Sequence, residues 1–339
     1  MSTTERVGSS RVHSLIEEHG CLLVPGVYDA LSAKLAQDAG FHAGFLSGYA
    51  LSATLLGAPD VGLLTPPEMA AATRAAVASV SNQVSEGNPV GAAESSLGMP
   101  IIADADTGGG NALNVRRTVL DLIAAGASGC IIEDQQWPKR CGHSARTSPP
   151  IAVDQMLSKV HAARDAIDEC GADFFLIART DARATSAKTG LDMAIERANA
   201  YVAAGADGSY IEAPRTTEEL KRIGQETVGP RVANMIEGSF TPDHSLEELH
   251  DMGFQIVLRP LSGVLAATRA LRSTYGALQE GGSLAGHEDD LLAGYDELRE
   301  VLRLKSYFDV EDRYYDEERL PKTLNLNTRV GKSYPVKSK

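Results

Sequence analysis

Residues 131–143 read I-I-E-D-Q-Q-W-P-K-R-C-G-H, and this stretch sets two acids at the end of a short apolar run. The run 130–132 predicts a buried strand that ends at Glu133 and Asp134. A second run, 99–102, leads in the same way into acids and then three glycines. A strand end that supplies acid groups, followed here by a cysteine, is a candidate place for chemistry.

Eight short apolar runs of this kind alternate with amphipathic stretches. The runs are residues 21–25, 42–47, 100–104, 129–133, 174–179, 208–212, 231–235 and 255–260. The amphipathic stretches are residues 29–38, 66–80, 114–125, 153–169, 191–204, 216–226 and 245–252. Many of them end at a glycine, which is a common helix stop. Eightfold alternation predicts an α/β protein with a closed parallel (β/α)8 TIM barrel.

The chain continues beyond what a barrel needs. Helical periodicity runs through residues 264–278, breaks at residues 281–283 and resumes over 289–305. We therefore predict a catalytic barrel domain over residues 1–280 and a C-terminal helical extension and tail over 281–339. Residues 81–97 look like a solvated insertion without chemistry, and the last thirty or so residues like an arm across a neighbour or a frayed tail.

The composition limits the classes of partner. Lys and Arg number 32 against 45 Asp and Glu, and the net charge of -13 disfavours nucleic acid and anionic membranes. The four cysteines lack paired or zinc-type spacing, which favours a reducing compartment. The chain has neither an apolar signal core near residue 1 nor a run of membrane-spanning length. We expect a cytoplasmic enzyme that acts on small molecules.

Cys141 lies among cationic residues. Lys139, Arg140 and His143 flank it, so we expect a mobile exposed loop and a thiol whose pKa is lowered towards neutrality. The alternative is a buried cysteine beside a surface charge cluster. The other cysteines, Cys21, Cys130 and Cys170, are expected to pack as small apolar side chains.

Asp104 and Asp106 point to a metal site. Alternate residues of a strand face the same way, and the glycines that follow let a ligand approach the backbone. Carboxylates without thiolate or paired imidazole ligands suit Mg2+, with Mn2+ as a substitute. The alternative is a solvated acidic turn, which the matching Glu133 makes less attractive.

The loop 139–143 resembles the signature loop of the isocitrate lyase/phosphoenolpyruvate mutase superfamily, in its carbon–carbon lyase branch. Other motifs fall in the family's order over residues 20–280, namely Ser47-Gly48-Tyr49, Pro59-Asp60, Asp104-Ala105-Asp106, Ile132-Glu133-Asp134, residues 178–182, Ile211-Glu212-Ala213 and Pro260-Leu261-Ser262. The resemblance implies a (β/α)8 barrel that exchanges its eighth helix between subunits, a homotetramer built as a dimer of helix-swapped dimers, and Mg2+. The phosphoryl-transferring branch lacks this cysteine, so Cys141 argues for lyase chemistry.

The resemblance also implies roles for single residues. Asp104 would be the main carboxylate to Mg2+, with Asp60, Asp106 and Glu133 acting through bound waters. The carboxylate of the keto-acid part would be held by Ser47, Gly48 and Tyr49. The second subsite would be lined by Gly142, His143, Glu212, Asn234 and Ser262. The catalytic residues would be Cys141 as general acid/base, Arg179 as the clamp on substrate oxygens, and His143.

These roles imply a Mg2+-dependent lyase that cleaves a 2-hydroxy di- or tricarboxylate, of the 2-methylisocitrate or 2-alkylmalate type, by retro-aldol chemistry. The products would be a 2-keto acid such as pyruvate and a carboxylic acid. Tyr49 resembles the alkylmalate-cleaving members, since methylisocitrate lyases commonly carry a small residue there, and residues 144–147 depart from their loop. Oxaloacetate hydrolysis to oxalate and acetate, or oxaloacetate decarboxylation, stays open on the same site, and a non-catalytic barrel scaffold is the remote alternative. The sequence does not identify the base that deprotonates the hydroxyl.

Overall fold

A computed structural model describes residues 10–81, 98–144 and 146–314. Its strands close into one barrel in sequence order, and every neighbouring pair is parallel. The strands are β1 Leu22–Val27, β2 Gly44–Leu46, β3 Ile101–Asp104, β4 Gly129–Glu133, β5 Phe175–Thr180, β6 Gly208–Ile211, β7 Arg231–Asn234 and β8 Ile256–Arg259. The predicted (β/α)8 barrel and all eight predicted strands are confirmed.

Helices precede, separate and follow the strands along the chain. They are α1 Arg11–His19, α2 Ala30–Asp38, α3 Gly48–Leu51, α4 Pro66–Ser81, α5 Ala112–Ala124, α6 Val153–Cys170, α7 Gly190–Ala203, α8 Thr217–Glu226, α9 Leu246–Asp251, α10 Ser262–Gly281, α11 Glu288–Leu291, α12 Tyr295–Val301 and α13 Leu304–Tyr314. A π-helical turn, Ser52–Leu56, follows α3, and a 3-10 turn, Ala182–Thr185, follows β5. Gly171 caps α6 at a φ of 58°, as the helix-stop pattern predicts.

The helices differ from the prediction in two places. The short helix α1 was not predicted, and the single helix expected over residues 289–305 is instead broken into α11, α12 and α13. Gly294 is the N-cap of α12, and Arg303 adopts a left-handed φ of 55° between α12 and α13. A glycine and a left-handed residue both interrupt helical propagation, because neither continues the right-handed ladder of hydrogen bonds.

The register of the strands determines which side chains lie side by side at the carboxyl ends of the barrel. Glu133 on β4 is level with Arg179 on β5, and Asp104 at the end of β3 is level with Ile131. Every residue of β4 is buried, because the interior of the barrel and the helical layer cover its two faces. Acids and a guanidinium therefore come together at the carboxyl ends of adjacent strands.

Apolar side chains fill the inside of the barrel. They include Val24, Phe45, Ile102, Phe175 and Ile256, which are at most 5% exposed. Val12 of α1 belongs to the same cluster and helps to close the amino-terminal end of the barrel. Truncating a large core residue such as Phe175 to alanine costs about 3–5 kcal/mol in comparable cores.

Helix α10 leaves most of its apolar side chains uncovered. Only Val264 is buried, whereas Leu265, Leu271, Tyr275 and Leu278 are between 39% and 63% exposed. None of the helices within the described ranges combines the length and the apolar character that crossing a bilayer requires.

The chain divides into two compact units. The first includes the barrel and reaches Leu292, and the second contains α12 and α13. The predicted boundary at residues 280/281 stays a prediction. Nearly all of the predicted 81–97 insertion, and the predicted tail from residue 315, lie outside the described residues.

Candidate active site

A cavity of about 40 Å3 lies at the carboxyl ends of the strands. Predicted site residues line it, namely Ser47, Tyr49, Asp60, Asp104, Cys141, Gly142, Arg179, Glu212 and Asn234. The remaining wall is mostly apolar, from Phe45, Ile131, Ile236, Leu258, Pro260 and Leu261, together with Tyr210. Side chains from different strands converge here because the parallel barrel aligns the ends of its strands.

Arg179 is the central cation of the site. Its guanidinium makes two hydrogen bonds to Asp181, of 2.9 and 3.0 Å, and lies 3.3 Å from Glu133 and 3.4 Å from Glu212. Burial pushes the pKa of Arg179 down, but the three acids outweigh it and raise the pKa well above its ordinary value. A permanently charged donor of fixed orientation suits the binding of a carboxylate or an oxyanion.

Glu212 is held in one orientation by its neighbours. Tyr210 donates a hydrogen bond to it, Asn234 donates from 3.3 Å, and His143 Nε2 lies 3.4 Å away. Burial alone would raise the pKa of Glu212, but Arg179 and His143 lower it overall, so the carboxylate is charged. Burial lowers the pKa of His143, whose ring also stacks on Phe240.

The expected low pKa of Cys141 is wrong. Lys139 turns away from the thiol to pair with two acids, and burial followed by the charge of Glu212 raises the pKa of Cys141 to about 12. The thiol is therefore protonated near neutral pH, which suits a proton donor rather than a thiolate nucleophile. Cys141 is also only partly exposed, and not on an open surface as the sequence suggested.

Two glycines let the backbone approach the acids. A Cβ at Gly142 would lie 2.2 Å from Cγ of Glu212, and one at Gly48 would lie 2.6 Å from Asp104 Oδ2. Contacts this short do not occur between real Cβ atoms and their neighbours, so only glycine fits. A side chain at either position would therefore force the backbone or the neighbouring acid to move.

Two of the acids, Asp60 and Asp106, share the ammonium group of Lys139. Lys139 Nζ lies 2.5 Å from Asp60 and 2.6 Å from Asp106, and it is almost fully buried. Asp104 instead accepts backbone N–H groups, from Gly48 at 3.2 Å and from Asp106 at 2.9 Å. Burial raises the pKa of Asp106 to about 6 despite Lys139.

The donor set fits a hard cation. Asp60, Asp104, Asp106 and Glu133 offer only oxygen ligands, and Glu133 Oε1 is buried without a hydrogen-bond partner. Burial raises the pKa of Glu133 well above its ordinary value. In the described part of the chain no three His, Cys, Asp or Glu side chains converge to hold an ion directly. That geometry agrees with one direct carboxylate and contacts through water, and the metal assignment stays a prediction.

Some predicted residues lie outside the cavity wall. The hydroxyl of Ser262 donates to Glu237 from 2.5 Å at the start of α10, away from the cavity lining. Gly48, Asp106, Glu133 and His143 do not line the cavity but contact residues that do. Cys170, expected to be buried, is exposed at the end of α6.

Three further residues organise the site; Tyr210 and Gln135 were not predicted, and Asp181 was predicted only as part of the motif 178–182, without a role. Tyr210 packs under Arg179 with its ring centroid 5.2 Å from the guanidinium, and Asp181 and Gln135 bind behind it. The alternation of strand β6 could have found Tyr210, because residues two apart face the same side and Glu212 was already predicted. The contacts of Gln135 depend on the path of a loop and have no comparable signal.

A larger groove of about 730 Å3 lies near α5 and α6. Leu64, Leu113, Trp137, Ile151 and Lys159 are among its lining residues. It contains none of the predicted site residues, so the smaller cavity remains the candidate for catalysis.

Comparison with known proteins gives the family. The family model described as phosphoenolpyruvate phosphomutase matches residues 12–279, which include all eight strands. The chain belongs to the phosphoenolpyruvate mutase/isocitrate lyase superfamily. The predicted family is confirmed, and its similar members are named as lyases and mutases, so this superfamily member is an enzyme.

Two proteins that are similar to this chain are named for different reactions. A chloroplastic carboxyvinyl-carboxyphosphonate phosphorylmutase of Arabidopsis thaliana is 53% identical over 93% of this chain and 86% of its own. The 2,3-dimethylmalate lyase of Eubacterium barkeri is 37% identical over 90% of this chain and 98% of its own. The similarity therefore extends to both lyases and mutases of the superfamily.

Solved structures of the superfamily add two ligands. Oxaloacetate acetylhydrolase in complex with 3,3-difluorooxalacetate superposes with a TM-score of 0.77 at 30% identity, over 88% of this chain and 94% of its own. Phosphonopyruvate hydrolase in complex with oxalate and Mg2+ does so with a TM-score of 0.72 at 26% identity, over 90% and 99%. Both ligands are small dicarboxylates.

Proposed function

We propose that the protein is a Mg2+-dependent lyase that cleaves a carbon–carbon bond of a 2-hydroxy di- or tricarboxylate. The products are a 2-keto acid such as pyruvate and a carboxylic acid. The observation that carries the proposal is the thiol of Cys141, which lines the same small cavity as Arg179 and whose raised pKa keeps it protonated near neutral pH. Retro-aldol cleavage needs both a proton donor and a cation for the developing oxyanion.

The charge of the site supports the need for a cation. Six acids surround two buried cations, Lys139 and Arg179; the acids are Asp60, Asp104, Asp106, Glu133, Asp181 and Glu212. A dicarboxylate substrate adds two more negative charges to this excess. Asp104 would hold Mg2+, with Asp60, Asp106 and Glu133 acting through water. When bound, the ion supplies Lewis-acid polarisation of the substrate oxygens.

In the proposed reaction, Arg179 and Cys141 have separate roles. The hydroxyl of the substrate loses its proton to a base, its C–O bond becomes a carbonyl, and the neighbouring C–C bond breaks. The electron pair of that bond passes into the enolate of the departing acid, where Arg179 stabilises the negative oxygen. Cys141 gives its proton to the enolate carbon and is then reprotonated, so that the proton lost by the hydroxyl balances the one gained by carbon.

The lining of the cavity favours a dicarboxylate substrate. Arg179 is the one cation among the described residues that line it, and Tyr49, Leu261 and Ile236 offer no charge to a third carboxylate. We therefore place 2-alkylmalates such as 2,3-dimethylmalate ahead of 2-methylisocitrate. A single methyl group changes preference by only about 1–3 kcal/mol, so neighbouring alkylmalates remain competing substrates.

Oxaloacetate hydrolysis is the second candidate. It is supported by the similarity to oxaloacetate acetylhydrolase and by Arg179 in the cavity wall, whose guanidinium can bind a carboxylate. Phosphoryl transfer is less well supported, although one similar relative is named a phosphorylmutase. The Cys141 loop resembles the lyase branch, and a protonated thiol has no role in moving a phosphoryl group.

A substrate panel tests these reactions together. The purified protein with Mg2+ is incubated with 2,3-dimethylmalate, citramalate, 2-methylisocitrate, isocitrate and oxaloacetate. Release of pyruvate or glyoxylate is coupled to lactate dehydrogenase, and oxalate and acetate are measured by NMR. Phosphonopyruvate and phosphoenolpyruvate, followed by 31P NMR, cover phosphoryl transfer. Turnover of oxaloacetate alone, or of a phosphonate alone, would overturn the lyase proposal.

The uncovered face of α10 supports an oligomer. Leu271, Tyr275 and Leu278 are exposed in the single chain, and apolar residues at this density on one helix favour burial against a partner. We propose a homotetramer of helix-swapped dimers. For location we propose the cytoplasm, while the chloroplastic relative makes a plastid the alternative. Fractionation of source cells, followed by detection of the protein, decides between them.

A further inference from the structure

The segment between β4 and α6 is a loop with a fixed base. The backbone N–H of Gln136 donates to Pro149 at 2.8 Å, and that of Ile151 donates to Asp134 at 2.6 Å. Gln135 and Pro150 also form an isolated antiparallel bridge. Cys141 lies beyond this base, in the outer part of the loop, so its position depends on additional contacts.

Gln135 supplies those contacts from inside the loop. Its side chain is nearly fully buried, and its Oε1 accepts from the N–H of Arg140 at 2.8 Å. Its Nε2 donates to the carbonyl of Arg140 at 2.8 Å and to Asp181 Oδ1 at 3.0 Å. One amide thus binds the backbone next to Cys141 and also the carboxylate that orients Arg179.

We propose that Gln135 is a positioning residue that couples the placement of Cys141 to the orientation of Arg179. This inference rests on the proposed function, in which one residue donates the proton and the other stabilises the oxyanion. Only an amide serves here, because the position requires two donated bonds and one accepted bond. Lys139 and the N–H of Cys141 also tie the loop to Asp60, but among these contacts Gln135 is the side chain that reaches both the loop backbone and the partner of Arg179.

Two substitutions separate hydrogen bonding from size. Gln135→Glu keeps the shape but places an oxygen against the carbonyl of Arg140 and against Asp181. Gln135→Met keeps the length without polar atoms. Asn199 offers a matched control, since its amide also accepts from one backbone N–H, of Val228, and donates to one carbonyl, of Glu226, both at 2.9 Å. Asn199→Asp removes the donated bond outside the site.

The chain contains its own reporters of the loop. Trp137 is the only tryptophan of the sequence and lies in the loop, about half exposed, beside Gly62. Its fluorescence therefore reports the loop without interference from other indoles. Alkylation by iodoacetamide, followed by mass spectrometry of each cysteine peptide, reports access to Cys141, with exposed Cys170 as an internal reference.

The experiment compares wild type, Gln135→Glu, Gln135→Met and Asn199→Asp. In both Gln135 variants we expect Cys141 alkylation to rise about tenfold relative to Cys170, since loss of two or three hydrogen bonds releases the loop. Trp137 emission should shift, and kcat on the best substrate should fall about 10²-fold, with a smaller change in KM. Asn199→Asp should change only the melting temperature.

The loop readouts need no substrate, so they decide whether Gln135 holds the loop even if every member of the panel fails and the proposed function is wrong. Wild-type Cys141 alkylation and Trp137 emission in either folded variant would overturn the inference. If Gln135→Glu does not fold, as judged by circular dichroism, Gln135→Met alone decides. An altered kcat with an unaltered loop also contradicts it.

Discussion

Replacing Gly142 by alanine should separate the proposed chemistry from the fold. The added Cβ would lie 2.2 Å from Glu212 Cγ and 2.7 Å from its Oε1, whereas ordinary contact begins at 3.4 Å. One of the two residues must therefore move by about 1.2 Å, the difference between the ordinary contact and the shorter of these distances. Glu212 is fixed by Tyr210, Asn234 and the charge of Arg179, so the loop moves and takes Cys141 with it.

A displacement of this size has a large kinetic cost and a small structural one. Misplacing a catalytic group by about 1 Å can lower the rate about 10²-fold, while overpacking costs about 1–3 kcal/mol of stability and less where a loop can shift. We expect kcat of Gly142→Ala to fall about 10²-fold in the coupled keto-acid assay, with the melting temperature little changed. Gly276→Ala is the control, because its Cβ meets nothing within 4 Å. Near wild-type turnover by Gly142→Ala would refute this account of the loop.

Further predictions concern the thiol, the metal and the assembly. Cys141→Ser should keep the fold and lose about 10²-fold or more in kcat, because a hydroxyl is a much weaker acid than a thiol; near wild-type turnover would contradict the role of proton donor. Since burial raises the pKa of Cys141 to about 12, its alkylation rate should climb steadily between pH 7 and 10, and a plateau near pH 7 would mean a low pKa instead. EDTA should abolish turnover, Mg2+ or Mn2+ should restore it, and Asp104→Asn should mimic chelation; full activity of the metal-free protein would exclude the metal role. Because the pKa of Asp106 is raised to about 6, Mg2+ must displace a proton below that pH, and its affinity measured by calorimetry should weaken from pH 7 to pH 5. Light scattering should give a mass near four times 35.9 kDa, with Leu271→Asp reducing it, and a monomer in the wild type would exclude the tetramer.

The barrel could be predicted because its signals are local. Runs such as residues 130–132 are apolar along their whole length, as expected of strands buried on both faces, and glycines such as Gly171 mark where helices stop. Once the strands are parallel, the residues that follow them must share one end of the barrel. Asp104, Arg179 and Glu212 could therefore be placed in one site from their positions along the chain alone.

The electrostatics of the loop could not be predicted in the same way. Neighbours in sequence suggested that Lys139 acts on Cys141, but its ammonium reaches acids from two other segments, Asp60 and Asp106. Burial then raises the thiol pKa, and burial depends on how the loop packs against Glu212. The contacts of Gln135 are of the same kind, since they exist only after the loop folds back on its own base.

The charge of Lys139 links the position of the loop to the electrostatic potential of the site. Its positive charge belongs to the loop between β4 and α6, whereas its partner Asp60 lies between the π-helical turn and α4, and Asp106 follows β3. Withdrawal of the loop would remove one unit of neutralising charge from these acids and make the electrostatic potential there more negative, which would attract cations. Return of the loop would place the charge of Lys139 against these acids again, which would help to retain an anionic substrate. The attraction of the pocket for cations and for anions would thus depend on whether the loop holds Lys139 against Asp60 and Asp106.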